Sequence, residues 1–300
     1  MTFREIASGL RFPEGPVAMA DGSVIVCEMA AGKITRVKPN GTTQTVATVG
    51  GGPNGLALGP DGALYVCNNG SSFTFSERSG ITIPGHAPDD HAGGRIERVN
   101  LTTGKTEIVY DSCDGKRLTA PNDLVFDTHG GLWFTDYGLS TKTGRTHGAL
   151  CYAKADGSRI VRVLRELVTP NGVGLSPDGN TVYFAETITA RLWALPLAKP
   201  GDAAKGRADF VGAYPGLAYF DSLGVQEDGA VCVATITAGG ITTFEFGARS
   251  VEHLPLPDPF VTNICWGGKD MKTAYVTMSG TGKLIAMDWP TPGLRLNYCA

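Results

Sequence analysis

One sixteen-residue phrase recurs along the chain, and no other feature restricts the fold so sharply. It first reads PEGPVAMADGSVIVCE from Pro13. It returns as PNGLALGPDGALYVCN from Pro53, PNDLVFDTHGGLWFTD from Pro121 and PNGVGLSPDGNTVYFAE from Pro170. Looser copies are FDSLGVQEDGAVCVAT from Phe220 and TNICWGGKDMKTAYVT from Thr262. Each copy places a polar anchor before a short apolar run: Glu14, Asn54, Asn122, Asn171, Asp221 and Asn263. The anchors lie 40, 68, 49, 50 and 42 residues apart.

After the anchor comes an apolar strand, then an Asp-Gly-type turn, with His129-Gly130 and Asp270-Met271 as variants. A second strand rich in Val, Tyr and Phe then ends in a polar residue. That end lies 14 residues past the anchor at Glu28, Asn68, Asp136, Thr235 and Thr277, and 15 past it at Glu186, where Asn180 is extra. Asp-Gly between apolar runs is a strong hairpin signal. In an antiparallel hairpin the start of one strand meets the end of the other, so all these polar residues should gather at one end.

Third strands follow at Gly32–Val37, Gly94–Val99, Gly148–Ala153, Ala190–Leu195, Gly240–Phe246 and Gly282–Met287. Fourth strands follow at Thr43–Val49, Thr106–Asp111, Arg159–Leu164, Ala208–Tyr214 and Val251–Leu256. The sixth unit lacks a fourth strand, while Phe3–Leu10 reads as a fourth strand without a unit. The solution is all-β: a six-bladed β-propeller whose N-terminal strand closes the last blade, leaving only short protected edges. A single domain over residues 1–300 is expected. The Trp and Met side chains, and Cys27 and Cys67 at equivalent second-strand positions, are expected in the core.

The 41 glycines and only 18% charged residues suit many short strands and tight turns. A net charge of −3 with no basic block argues against nucleic acid and anionic membrane as partners. No apolar run is long enough to span a bilayer, and MTFREIASGLRF does not read as a signal peptide. The seven cysteines form no Cys-x-x-Cys pair, which argues against a disulfide framework or a thiolate zinc site and for a reducing, cytoplasmic setting. A monomer or weak homo-oligomer is expected.

If the anchor strand is innermost, six polar side chains ring one mouth of the central channel. Small polar residues that cap strands and hydrate the tunnel would explain Asn54 and Asn263. Glu14 and Asp221 are different, because two carboxylates in one low-dielectric mouth repel. Either one is protonated or a cation shares them. Glu, Asp and Asn offer oxygen only, which suits hard divalent cations.

The series Pro13-Glu14-Gly15-Pro16, Ala120-Pro121-Asn122-Asp123, Thr169-Pro170-Asn171-Gly172 and Phe220-Asp221-Ser222-Leu223-Gly224 resembles the regucalcin / gluconolactonase / luciferin-regenerating-enzyme family over essentially the whole chain. Each motif is weak alone; four in order at propeller spacing are specific. The resemblance implies one divalent cation in the channel and hydrolysis of a sugar lactone or related small lactone. It implies Glu14, Asn171 and Asp221 as metal ligands, with Ca²⁺ expected and Mn²⁺, Zn²⁺, Fe²⁺ or Mg²⁺ as alternatives. It places Asn122 beside the metal, on substrate or completing the coordination shell. One departure stands out: sugar-lactone hydrolases of the family often carry Arg two residues before that Asn, where this chain has Ala120, with Arg117 three residues further back.

Lactone hydrolysis needs a polarised carbonyl, an activated water and a stabilised oxyanion. A cation can supply the first and third. Asp221 is the candidate general base, and Asn122 can donate to substrate. Asn68 and Arg117 are further substrate-contact candidates. The interval between the second and third anchors holds a long segment, residues 69–95, placed to cover the channel mouth. His86, Asp89, Asp90 and His91 within it read as a solvated polar loop. Asp136 and Glu186 read as supporting or loop-capping groups. Rival readings are a strictosidine-synthase-like or phosphotriesterase-like enzyme on the same fold, and a non-catalytic calcium-binding or interaction propeller. Ser-hydrolase, zincin and Walker A signatures are absent from the sequence.

Overall fold

A computed structural model describes residues 2–245 and 250–299. Its six main sheets are the expected blades, each a run of antiparallel strands, in sequence order in the first five. The inner strands are Pro13–Ala18, Pro53–Leu58, Pro121–Phe126, Pro170–Leu175, Tyr219–Val225 and Val261–Gly267. The last blade is completed by Phe3–Ala7, which pairs antiparallel with Lys283–Asp288. First and last strands of the chain thus share one sheet. The expected third strand Gly240–Phe246 is found over Gly240–Glu245; Phe246 lies outside the described residues.

Six buried hydrophobic clusters hold the ring together, one between each pair of neighbouring blades. Phe126, Leu132 and Phe134 pack on Tyr65 and Ile96 between blades two and three, and Trp266, Val276 and Ile285 pack on Cys232 and Ile241 between blades five and six. The seam between blade six and blade one is filled by Ala7, Leu10, Val26, Tyr275 and Leu284, so the N-terminal strand contributes packing as well as hydrogen bonds. Cys27, Cys67, Cys113, Cys151, Cys232 and Cys265 are free and buried, as small core residues. Among the described residues no helix is long and apolar enough to cross a membrane.

Among the described residues two small hairpins stand outside the blades. One, Phe75–Arg78 with Ile81–Pro84, rises from the long segment after blade two. The other, Ser112–Cys113 with Lys116–Arg117, lies before the third inner strand. After the last blade the chain runs back across the turn end of the propeller. Leu294 N–H donates to the Val225 carbonyl, the Asn297 amide to the Phe126 carbonyl, and the Tyr298 hydroxyl accepts from Gly130 N–H.

Candidate functional site

Hairpin register gathers the polar residues at one end, as the repeat implies. Pro13 pairs with Glu28, Pro53 with Asn68, Pro121 with Asp136, Pro170 with Glu186 and Phe220 with Thr235, while Asn263 itself pairs with Thr277. Each inner strand also breaks its register at the anchor. The breaks fall between Glu14 and Val17, Pro53 and Leu56, Pro121 and Leu124, Pro170 and Val173, Phe220 and Leu223, and Val261 and Asn263. Such bulges re-aim side chains. They also need small residues where inner strands converge. A Cβ on Gly15, which has φ +54°, would strike the Asn54 carbonyl, and one on Gly55 would meet the Asp123 backbone at 2.6 Å.

All six anchors are buried. Glu14 Oε2 accepts from Gly15 N–H at 2.9 Å and from the Asn263 amide at 3.2 Å. The Asn171 amide donates to Thr187 Oγ1 at 3.0 Å. On the acceptor side much is unmet: Oδ1 of Asn54, Asn122 and Asn171 is buried without a hydrogen-bond partner. Buried polar atoms in native proteins are nearly always paired, so three orphaned carbonyl oxygens in one ring call for an explanation.

The carboxylates tell the same story. Burial raises Glu14 to about 7. Burial, and then the Glu14 charge, raise Asp123 to about 7. Asp221 is pushed well above the ordinary range by burial first and by Glu14 second, with the Asn171 amide offsetting part. Glu14, Asp123, Asn171 and Asp221 therefore share one low-dielectric space with an excess of acceptors. A hard divalent cation is the group that such an all-oxygen set fits. Among the described residues no trio of His, Cys, Asp or Glu is arranged to hold a metal, so any such site must use the amide oxygens.

The second-strand ends are engaged elsewhere. Asp136 accepts from Thr119 N–H at 3.0 Å and Ala120 N–H at 2.7 Å. Glu28 accepts from Arg11 N–H and Thr35 Oγ1 and faces Lys33 at 3.2 Å. Glu186 accepts from Val168 N–H, Thr189 Oγ1 and Trp193 Nε1. Asn68 takes Gly52 and Gly70 N–H on its oxygen and gives its amide hydrogens to the Gly50 carbonyl and Glu97. That fills the side chain and leaves none of it for a substrate. Arg117 sits on the small hairpin with its side chain 69% exposed, 3.7 Å from Asp111, outside the buried ring.

The segment 69–95 spans the anchor end. Phe75 packs on Phe12 at 5.1 Å, Phe73 on Tyr137 at 5.8 Å, and Thr82 N–H donates to the Gly280 carbonyl of blade six. Within it, His91 Nε2 lies 2.9 Å from the Thr119 carbonyl oxygen and His86 lies near Ser140, both ordinary loop contacts. Two residues at the site escaped the sequence reading. Asp123 follows Asn122 inside the bulge, where strict alternation would have turned it away. Tyr137 follows a second-strand end, is buried, and has its hydroxyl raised to about 12 by burial. The adjacent acid in Asn122-Asp123 was the only available signal for the first, and nothing marked the second.

Residues 12–280 match the family model described as SMP-30/Gluconolactonase/LRE-like region. The chain is 28% identical over 250 residues to lactonase drp35 of Staphylococcus haemolyticus, covering 81% of this chain and 69% of that one. It is 27% identical over 219 residues to a gluconolactonase of Zymomonas mobilis, covering 65% of this chain and 55% of that protein. The calcium-binding protein regucalcin of Agrobacterium tumefaciens has the same fold, with a TM-score of 0.74 at 17% identity, covering 96% of this chain and 95% of that one.

Proposed function

The chain belongs to the SMP-30/gluconolactonase/LRE-like family, and from that premise we propose that it is a divalent-metal-dependent lactonase opening a small cyclic ester. The observation that carries the proposal is the ring of unmet oxygens: two mutually repelling carboxylates, Glu14 and Asp221, beside the orphaned Oδ1 of Asn171 and Asn122. Relatives named lactonase and gluconolactonase support the reaction class. The calcium-binding fold neighbour supports Ca²⁺ as the first ion to test.

Glu14, Asn171 and Asp221 would hold the cation. When bound, the cation supplies Lewis-acid polarisation of the ester carbonyl and lowers the cost of negative charge there. The chain's own groups do the rest. Asp221 has two carboxylate oxygens, so one can hold the ion while the other takes a proton from the attacking water. Asn122 has an amide to donate to the substrate. Asn171 is fixed by its bond to Thr187 and Glu14 by Asn263, so neither ligand needs to reorganise. The 69–95 segment covers this end and limits water access.

A panel of sugar, aliphatic and aromatic lactones, assayed with metal-stripped protein and with Ca²⁺, Mn²⁺, Zn²⁺, Fe²⁺ and Mg²⁺ restored singly, tests this. Hydrolysis that appears only with a divalent ion is expected. No hydrolysis in any combination, with ion binding intact by calorimetry, would leave a calcium-binding propeller in place of an enzyme.

A further inference from the structure

Below the anchors the channel widens into a cavity of about 600 Å³ that ends at the hairpin turns. Its walls come from the inner strands and are mostly apolar: Val17, Val125, Leu175, Val225 and Ile264, with Trp266. Asp123 and Asn263 form its floor, and their polar atoms are engaged. Asp123 accepts from Leu124 and Val173 N–H, and Asn263 accepts from Ile264 N–H and donates to Glu14. The tail residues Leu294–Cys299 close part of the turn end. The volume and apolar lining are those of a small-molecule pocket, and such a lining holds ordered water poorly.

The rim has a sign. Lys199, Lys269 and Arg295 line it, and among the described residues Lys269 and Arg295 have no ion-pair partner. The acids at the same rim are held by neutral donors. Asp127 accepts from His129 N–H, Gly131 N–H and the Tyr152 hydroxyl, and Asp178 from Ser176 and Asn180. Two indole N–H groups in the lining, of Trp133 and Trp266, are buried without a hydrogen-bond partner.

We propose that the turn-end half of the channel is a second binding site, adjoining the anchor ring at Asn263 and Asp123, that takes a medium-chain amphipathic carboxylate. The alkyl body lies between the inner strands and the carboxylate meets Lys269 and Arg295. The site does not depend on the lactonase reading, because no part of it uses the metal or the ester.

Intrinsic tryptophan fluorescence and calorimetry on metal-free full-length protein, titrated with octanoate and decanoate and with decanol as the neutral control, test the site. One decanoate per chain should bind saturably and change the Trp signal, with decanol about tenfold weaker. Reversing the exposed rim charges in a Lys269→Glu/Arg295→Glu protein should abolish decanoate's advantage over decanol. Ala18→Leu, which narrows the cavity, should weaken both. Absence of saturable binding by either carboxylate overturns the site. Decanoate affinity that the charge reversal leaves unchanged overturns its anionic character. If Ala18→Leu does not fold, the charge-reversed protein decides alone.

Discussion

Two rings of polar residues meet at the anchor end, and they behave in opposite ways. The inner ring is Glu14, Asn54, Asn122, Asn171, Asp221 and Asn263; the second-strand ring contains Glu28, Asn68, Asp136 and Glu186. Both are buried and both contain carboxylates. The second ring lies beside the segments that carry the chain from an outer strand to the next anchor. There Arg11, Gly52, Thr119, Ala120 and Val168 present N–H groups outside any ladder, and the second ring pairs with them. The inner ring faces the channel, where Asn54, Asn122 and Asn171 leave Oδ1 without a partner. Burial of a carboxylate is common to both rings; what distinguishes the inner ring is that three of its amide oxygens lack a donor.

The largest effects should come from exchanging the roles. Asp221→Ala should lower lactone hydrolysis by about 10²–10⁴-fold, the usual worth of a general base. Glu14→Gln should remove metal affinity, read by calorimetry. Neither should lower the melting temperature of the metal-free protein, since each removes one of three repelling buried acids, Glu14, Asp123 and Asp221. Asp136→Ala should do the reverse. It strands two N–H groups, at about 1–3 kcal/mol each, while the folded protein keeps its metal affinity. Full activity in metal-loaded Asp221→Ala would remove that residue from the proton transfer. A metal-affinity loss in Asp136→Ala equal to that in Glu14→Gln would erase the distinction between the rings.

The pH dependence of the metal-free protein sharpens the same contrast. Glu14 and Asp123 have folded-state values raised to about 7 from 4.5 and 3.8. A raised acid binds more protons folded than unfolded, so its stabilising contribution is full below the unfolded value and is lost as pH climbs through about 7. Urea unfolding of metal-free protein should give a free energy that falls from about pH 4.5 to beyond 7. Saturating Ca²⁺ should flatten that slope, because the ion takes the place of the protons. A metal-free stability that rises across the window would mean that burial does not hold the inner acids protonated.

The blades were legible because each repeats its own turn chemistry and strand period, and the unpaired Phe3–Ala7 even identified the closing strand. Glu14 and Asp221 stood out because a carboxylate is conspicuous at a position otherwise held by Asn. What stayed hidden depended on geometry between repeats. Asn68 looked like a mouth residue until Glu97 and three glycines were seen to occupy its amide. Asp123 joined the inner ring only because the strand bulges at Asn122. The cavity at the other end is assembled from apolar residues that, read singly, are ordinary core.

The smallest effect concerns the cation nearest in sequence to the third anchor. Ala120 is fully buried between the two rings: its N–H donates to Asp136, and its carbonyl accepts from Tyr137 N–H at 3.0 Å. No guanidinium stands at this position, and Arg117 is not placed to substitute. Its side chain is 69% exposed and its partner Asp111 50% exposed, at 3.7 Å. Exposed pairs of this kind contribute about 0–1 kcal/mol. Arg117→Ala should thus leave stability within about 0.5 kcal/mol of the parent and KM for any hydrolysed lactone within about twofold. A KM that rises about tenfold for sugar lactones but not for alkyl lactones would put the Arg117 guanidinium on sugar hydroxyls. The mouth would then recruit its cation from the small hairpin, and the contrast between the two rings would need redrawing at that edge.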